Sequence, residues 1–129
     1  MKNRIKSMRL GIGTDFDVDV GAMTTVSQIE TVNKHIDDAV KKGAKIAAKS
    51  SLPENKNLKN FIPAILLTEV DHSMLVMKEE TFGPVVGIMQ YQTTEEAIAL
   101  ANDSSMGLTG SVWSNDLKKA EKIGRQIQA

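Results

Sequence analysis

The sequence contains no cysteine, three prolines, one Trp and one Tyr, and its 16 basic side chains are matched by 16 acidic ones. Without cysteine the 129 residues hold no disulfide scaffold, no thiolate zinc site and no thiol nucleophile. His35 and His72 are the two histidines, far apart and with no second histidine at helical spacing, so no metal site is expected. Long apolar runs are also missing. Phe61 to Leu67 is interrupted by Pro63 and is too short to cross a bilayer, so no membrane partner is expected. Lys2, Arg4, Lys6 and Arg9 imitate the start of a secretion signal, but Ser7, Gly11, Gly13 and Asp15 follow where an apolar segment should stand. The balanced charge conceals a gradient, net +4 over residues 1–60 and net −4 over 61–129, and neither half is basic enough to make nucleic acid the expected partner. These absences imply a soluble cytoplasmic protein of one domain, or part of one.

What is present is ordinary globular composition, 41% hydrophobic and 25% charged, which places disordered and fibrous classes well behind. Asp15, Asp17 and Asp19 alternate in a turn-rich stretch. Counted from Asp15, Val20 and Val26 occupy the positions where a calcium loop needs Gly and Glu, so a solvated loop is expected. From Thr24 to Lys42, Val26, Ile29, Val32, Ile36 and Val40 form a helical stripe, with Thr25 and Gln28 as a capping box and Gly43 past the end. A short strand at Ala44–Ala48, a polar loop with Pro53, Asn55 and Asn57, and a buried strand at Phe61–Leu67 follow. The remainder reads as strand Val85–Tyr91, a helix capped by Thr93 and Glu96, strand Leu108–Trp113, and a helix capped by Asn115 with Leu117, Ala120, Ile123 and Ile127 on one side. This alternation predicts an α/β fold with layered helices and a mainly parallel sheet. Trp113 is expected in the core, Met74 and Met77 as gap-fillers, and Glu121 with Arg125 as an i,i+4 pair. The chain ends at Ala129 with the last helix in progress or just ending, where the pattern would normally continue into a strand.

The densest unusual cluster is Lys78-Glu79-Glu80-Thr81-Phe82-Gly83-Pro84-Val85. Taken alone, the two carboxylates read equally well as a solvated face and Gly-Pro as a strand entry. Its neighbours change that. The octet resembles the E-E-x-F-G-P-V signature of the NAD(P)-dependent aldehyde dehydrogenase superfamily. Phe61-Ile62-Pro63-Ala64-Ile65-Leu66 resembles that family's F-x-x-P-T-x-L stretch. Glu95 to Asn102 followed by Met106-Gly107-Leu108-Thr109 resembles its E-A-I-x-x-A-N and Y-G-L signatures, with Met106 in place of Tyr. Upstream, Gly11 to Ala22 is similar to a degenerate G-x-P-x-D loop and G-P turn, with Gly13 and Ala22 replacing the prolines.

In that family a cysteine thiolate attacks the aldehyde, hydride passes to the nicotinamide of NAD or NADP, and a glutamate-activated water releases the carboxylic acid. The resemblance implies that Glu80 binds the nicotinamide-ribose hydroxyls and that Phe82 packs beside the nicotinamide. Gln28 matches a position near the adenosine ribose in some members, although Thr31 stands where those members carry Lys. It also implies that the glycine-rich cofactor domain, the oxyanion-hole asparagine, the general base and the nucleophile precede the matched region, and that the oligomerisation arm follows it. Residues 1–129 are thus expected to be one partial catalytic domain, inactive alone, serving a small-molecule aldehyde substrate, with a possible homodimer through the helix Thr24 to Lys42. A small α/β binding or self-association module that kept the fold without the chemistry is the alternative.

Overall fold

Val32, Ile36 and Ala39 recur at intervals of four and three, and the chain around them winds into the helix Val26–Lys41, numbered α2 after a short N-terminal α1 at Lys2–Lys6. The computed structural model describes residues 1–12, 14, 17–53 and 59–129. Asp15, Gly13 and the Asn55/Asn57 loop therefore lie outside the described residues. Thr25 caps α2 as expected, its hydroxyl accepting from the Gln28 amide at 3.2 Å. Gly43, at φ +107°, takes a backbone angle open to glycine and turns the chain out of the helix. Asp19, from the acidic alternation, accepts from Arg4 Nη2 and from the Arg9 amide, each at 2.9 Å, so basic groups neutralise it. The Arg9 amide and the two guanidiniums hold its carboxyl below the ordinary 3.8.

Among the described residues three strands follow in the order β1 (Lys45–Lys49), β2 (Ile65–Thr68) and β3 (Val85–Ile88), with β2 in the middle. The sheet is mixed, which corrects the mainly parallel expectation. β2 runs parallel to β3 through a crossover that contains α3 (Leu75–Lys78), as a parallel pair requires, whereas β1 and β2 are antiparallel neighbours. β2 begins later than the apolar run suggests. Pro63 has no N–H to give a ladder, and the Ala64 amide goes to Ser50 Oγ at 2.9 Å. The strand expected to reach Tyr91 stops at Ile88.

Side chains along β2 alternate between two apolar clusters. Ile65 and Leu67 join Val32, Ile36, Ala39, Val70 and Met74 on the α2 side, while Leu66 joins Ile5 of α1, Ala48 and Ala64 on the other. Helices on both faces of a small sheet make the fold α/β, and they explain why β2 is continuously apolar. Met74 is 1% exposed and Met77 packs against the same cluster, the gap-filling expected of them.

Residues 1–89 form one compact unit and 90–129 a second. In the second, Thr93 caps α4 (Thr94–Asn102), accepting from the Glu96 amide at 3.1 Å, and Glu96 accepts in return from the Gln92 amide at 2.6 Å. The last helix, α5 (Leu117–Gly124), is capped by Asp116 rather than Asn115, through a 3.0 Å bond from the Lys119 amide. Arg125 pairs with Glu121 at 2.7 Å. Residues 108–113 are not a strand, and Trp113 is 91% exposed rather than core. A strand needs a neighbour for its N–H and C=O groups, and this short unit supplies none; nor is any of its residues buried. Among the described residues no helix is long and apolar enough to cross a membrane.

Because Leu67 is fully buried at the centre of the larger cluster, Leu67→Ala is expected to cost about 2–5 kcal/mol. Urea unfolding measures it, and a loss under about 1 kcal/mol would contradict the packing described.

Candidate functional site

The segment from Glu79 to Pro84 joins α3 to β3, and three residues on one face of α2 hold it. Gln28 Nε2 donates to the Thr81 carbonyl at 2.6 Å. The ring of His35, 1% exposed, lies with Nδ1 3.0 Å from Thr81 Oγ1 and Nε2 3.2 Å from Glu79 Oε2. A carboxylate oxygen accepts, so Nε2 donates to Glu79, and Nδ1 pairs with the Thr81 hydroxyl, which can either donate or accept. Between these two residues of α2 sits Val32. A β-carbon on residue 83 would fall 2.5 Å from Val32 Cγ2, so glycine is what lets the loop backbone come this close.

Held in this way, the loop presents Glu80 to solvent and leaves Phe82 72% exposed. Phe82 has φ +42°, a conformation that crowds a β-carbon and persists only where the surroundings impose it. A second tie holds the preceding turn. Asp38 of α2 accepts from the Leu75 amide at 2.8 Å, at the start of α3, and from Lys42 Nζ at 2.8 and 3.1 Å. The Lys42 bond first, and then the Leu75 amide, hold the Asp38 carboxyl below its ordinary 3.8.

The three residues singled out from the sequence thus lie on one loop and the helix beneath it. Glu80 and Phe82 are on the loop, and Gln28 is bonded to the residue between them. Gln28 completes only half of the expected capping box, because its amide reaches Thr81 instead of returning to the helix start. Sequence reasoning missed His35, Thr81 and Asp38. The signal available for His35 was its place seven residues after Gln28, on the apolar side of the same helix. Among the described residues no group of three His, Asp or Glu side chains is placed to hold a metal ion. A cleft of about 410 Å³ between α4 and α5, lined by Thr94, Glu95, Ile98, Lys119 and Lys122 among others, includes none of the expected site residues.

The model of the aldehyde dehydrogenase family matches residues 1–129, the whole chain. The chain belongs to the aldehyde dehydrogenase family. It is 43% identical over 119 residues to the 4,4'-diapolycopene aldehyde oxidase of a Methylomonas species, which covers 92% of this chain and 22% of that protein. It is 40% identical over 126 residues to a Mycobacterium ulcerans protein named "Putative succinate-semialdehyde dehydrogenase (NADP(+)) 2", covering 97% of this chain and 24% of the relative. Among solved structures, the Mycobacterium tuberculosis aldehyde dehydrogenase complexed with NAD+ matches with a TM-score of 0.89 and 36% identity, over 97% of this chain and 26% of that one. The Staphylococcus aureus betaine aldehyde dehydrogenase in complex with NAD+ gives 0.88 and 35%, over 98% and 26%. The chain therefore spans about a quarter of the length of the relatives it matches.

Acid titration tests the Asp38 tie within this aldehyde dehydrogenase segment. Since its carboxyl titrates below 3.8 in the folded chain, the stability it adds is complete above 3.8 and is lost as pH falls through the lower folded value. Asp38→Asn is expected to be less stable than the parent near neutral pH, with the gap closing as the pH drops through that range. Denaturant unfolding at a series of pH values checks it, and a gap independent of pH would rule it out.

Proposed function

We propose that this chain is part of the catalytic domain of a cytoplasmic NAD(P)-dependent dehydrogenase that oxidises an aldehyde to a carboxylic acid. In this reading Glu80 accepts hydrogen bonds from the nicotinamide-ribose hydroxyls, Phe82 packs beside the nicotinamide ring, and Gln28 contributes from below. The observation that carries it is the held loop, which turns an exposed carboxylate and an exposed aromatic ring outward on a backbone fastened to α2. The residues suit the cofactor. A carboxylate can accept from two neighbouring hydroxyls, and an aromatic edge can keep a planar ring in register. Two solved neighbours are complexes with NAD+, and a relative's name specifies NADP(+), which supports either dinucleotide.

The bound cofactor would supply the hydride acceptor. This chain's part is to bind and orient it, because binding energy gained through the ribose is useful only if it fixes the ring at the reacting distance. The nucleophile required by cysteine chemistry is not among these residues, and the family resemblance implies that the general base also lies outside them. The residues therefore act as one wall of a site completed by other parts of the subunit. Self-association through α2 would rest on Val26 and Val40, the residues of its apolar stripe that stay exposed, since Val32 and Ile36 face the chain's own core.

In the full subunit, Glu80→Gln is expected to weaken NAD(P) binding about tenfold, the loss of a hydrogen bond to a charged group, and to leave the fold intact. Calorimetric titration with NAD+ and NADP+ decides this, and unchanged affinity for both would remove Glu80 from the site. Residues 1–129 alone are expected to give no reduced cofactor from any aldehyde. Its formation at a rate abolished by Glu80→Ala would overturn that expectation.

A further inference from the structure

We propose that His35 is a positioning residue for the nicotinamide cofactor: its buried ring bonds the residues on either side of Glu80 and so sets where Glu80 and Phe82 point. The inference rests on the proposed role of Glu80 and extends it to a residue that does not touch the cofactor.

The geometry is specific. His35 Nε2 meets Glu79 and Nδ1 meets Thr81, so one rigid ring brackets Glu80 from both sides along the chain. Gln28 fixes the Thr81 carbonyl from one end of the same helix face, and Val32 supports Gly83. Each contact made by the ring nitrogens is to the loop, and neither goes to the strands or helices of the core.

Stability does not explain the choice of side chain. His35 occupies an apolar face between Val32 and Ile36, where a hydrocarbon side chain would pack without a desolvation cost. Buried hydrogen bonds yield little net stability, but they are directional, and a site with both ring nitrogens engaged admits one loop conformation. That selectivity has a use only if something depends on the conformation. The candidate dependants are on the outer side of the loop: the Glu80 carboxylate and the Phe82 ring, the latter at a backbone angle that a free loop would abandon.

Two measurements test this. Hydrogen exchange on the chain itself compares the parent with His35→Phe and with Thr81→Val, which replaces the hydroxyl by a methyl group of similar size at a half-buried position. The Glu79 and Val85 amides that flank the loop, bonded to the Leu75 and Gly83 carbonyls at 2.8 Å, are expected to exchange about tenfold faster in each variant while those of β2 stay within about a factor of two. In the full subunit, both variants are expected to weaken NAD+ binding about tenfold with the KM for aldehyde unchanged. The double variant should be no worse than His35→Phe alone, because that substitution already breaks the bond that Thr81→Val removes. Thr81→Ser, which keeps the hydroxyl, should recover most of the affinity. If His35→Phe does not fold, Thr81→Val carries the test. Faster exchange spread evenly through β2 would make His35 a structural residue and overturn the proposal. So would unchanged affinity in Thr81→Val when Glu80→Gln weakens binding; an ineffective Glu80→Gln would instead bring down the reading of the site itself, and this inference with it.

Discussion

Val32 has no exposed surface, and its side chain serves two packings at once. It belongs to the cluster around Ile65 and Leu67 of β2, and it lies directly beneath the backbone of Gly83. Whatever fixes the rotation of α2 about its axis therefore also fixes the loop. Magnitudes say which contact leads. Burying an aliphatic side chain stabilises by roughly 1.5–3 kcal/mol, and a typical hydrogen bond by a net ~0.5–1.5, so the apolar face sets the rotation of the helix. Gln28 and His35 are then presented to the loop as a consequence, and their bonds select among loop conformations on a helix already placed.

The two adjacent glutamates show how a motif divides its work. Glu79 and Glu80 are chemically identical and consecutive, yet the first turns to the buried imidazole while the second faces solvent. Successive residues of an extended backbone point to opposite sides, and the backbone at Glu79 is extended, with φ −114° and ψ 151°. One carboxylate is thus committed to holding the loop and the other is left available for a ligand. The family resemblance drew attention to Glu80; the division of roles becomes visible only once α2 lies alongside.

Features governed by nearby residues could be read from the sequence. Helix α2, its Thr25 cap, the Gly43 exit and the Thr93 cap each depend on a few adjacent positions, and the octet that ends at Val85 marked the loop before any geometry was known. The bond between His35 and Thr81 could not be read in this way, because it joins positions 46 apart whose approach depends on the sheet. The sheet expectation failed for a related reason: alternating strands and helices suggest parallel pairs joined by crossovers, and among the described residues this holds for β2 and β3, whereas β1 pairs antiparallel with β2. Leu108 to Trp113 has the composition of a strand and lacks a partner within its own unit, so composition alone misplaced Trp113. The α1 turn, anchored by Ile5 alone, was too short to show a period.

The positive φ of Phe82 has a thermodynamic consequence. A residue in that conformation is held there by its surroundings at a cost to the backbone, so the loop and the helix that restrains it are energetically one object. A ligand that recognises the restrained conformation, and not the unfolded chain, draws the equilibrium toward the folded state in proportion to its concentration over its dissociation constant. Linkage runs equally in the other direction. For such a ligand, any solution condition that loosens α2 from the sheet would lower affinity at a surface it never touches, and melting of the chain and occupancy of the loop would be two readings of a single equilibrium.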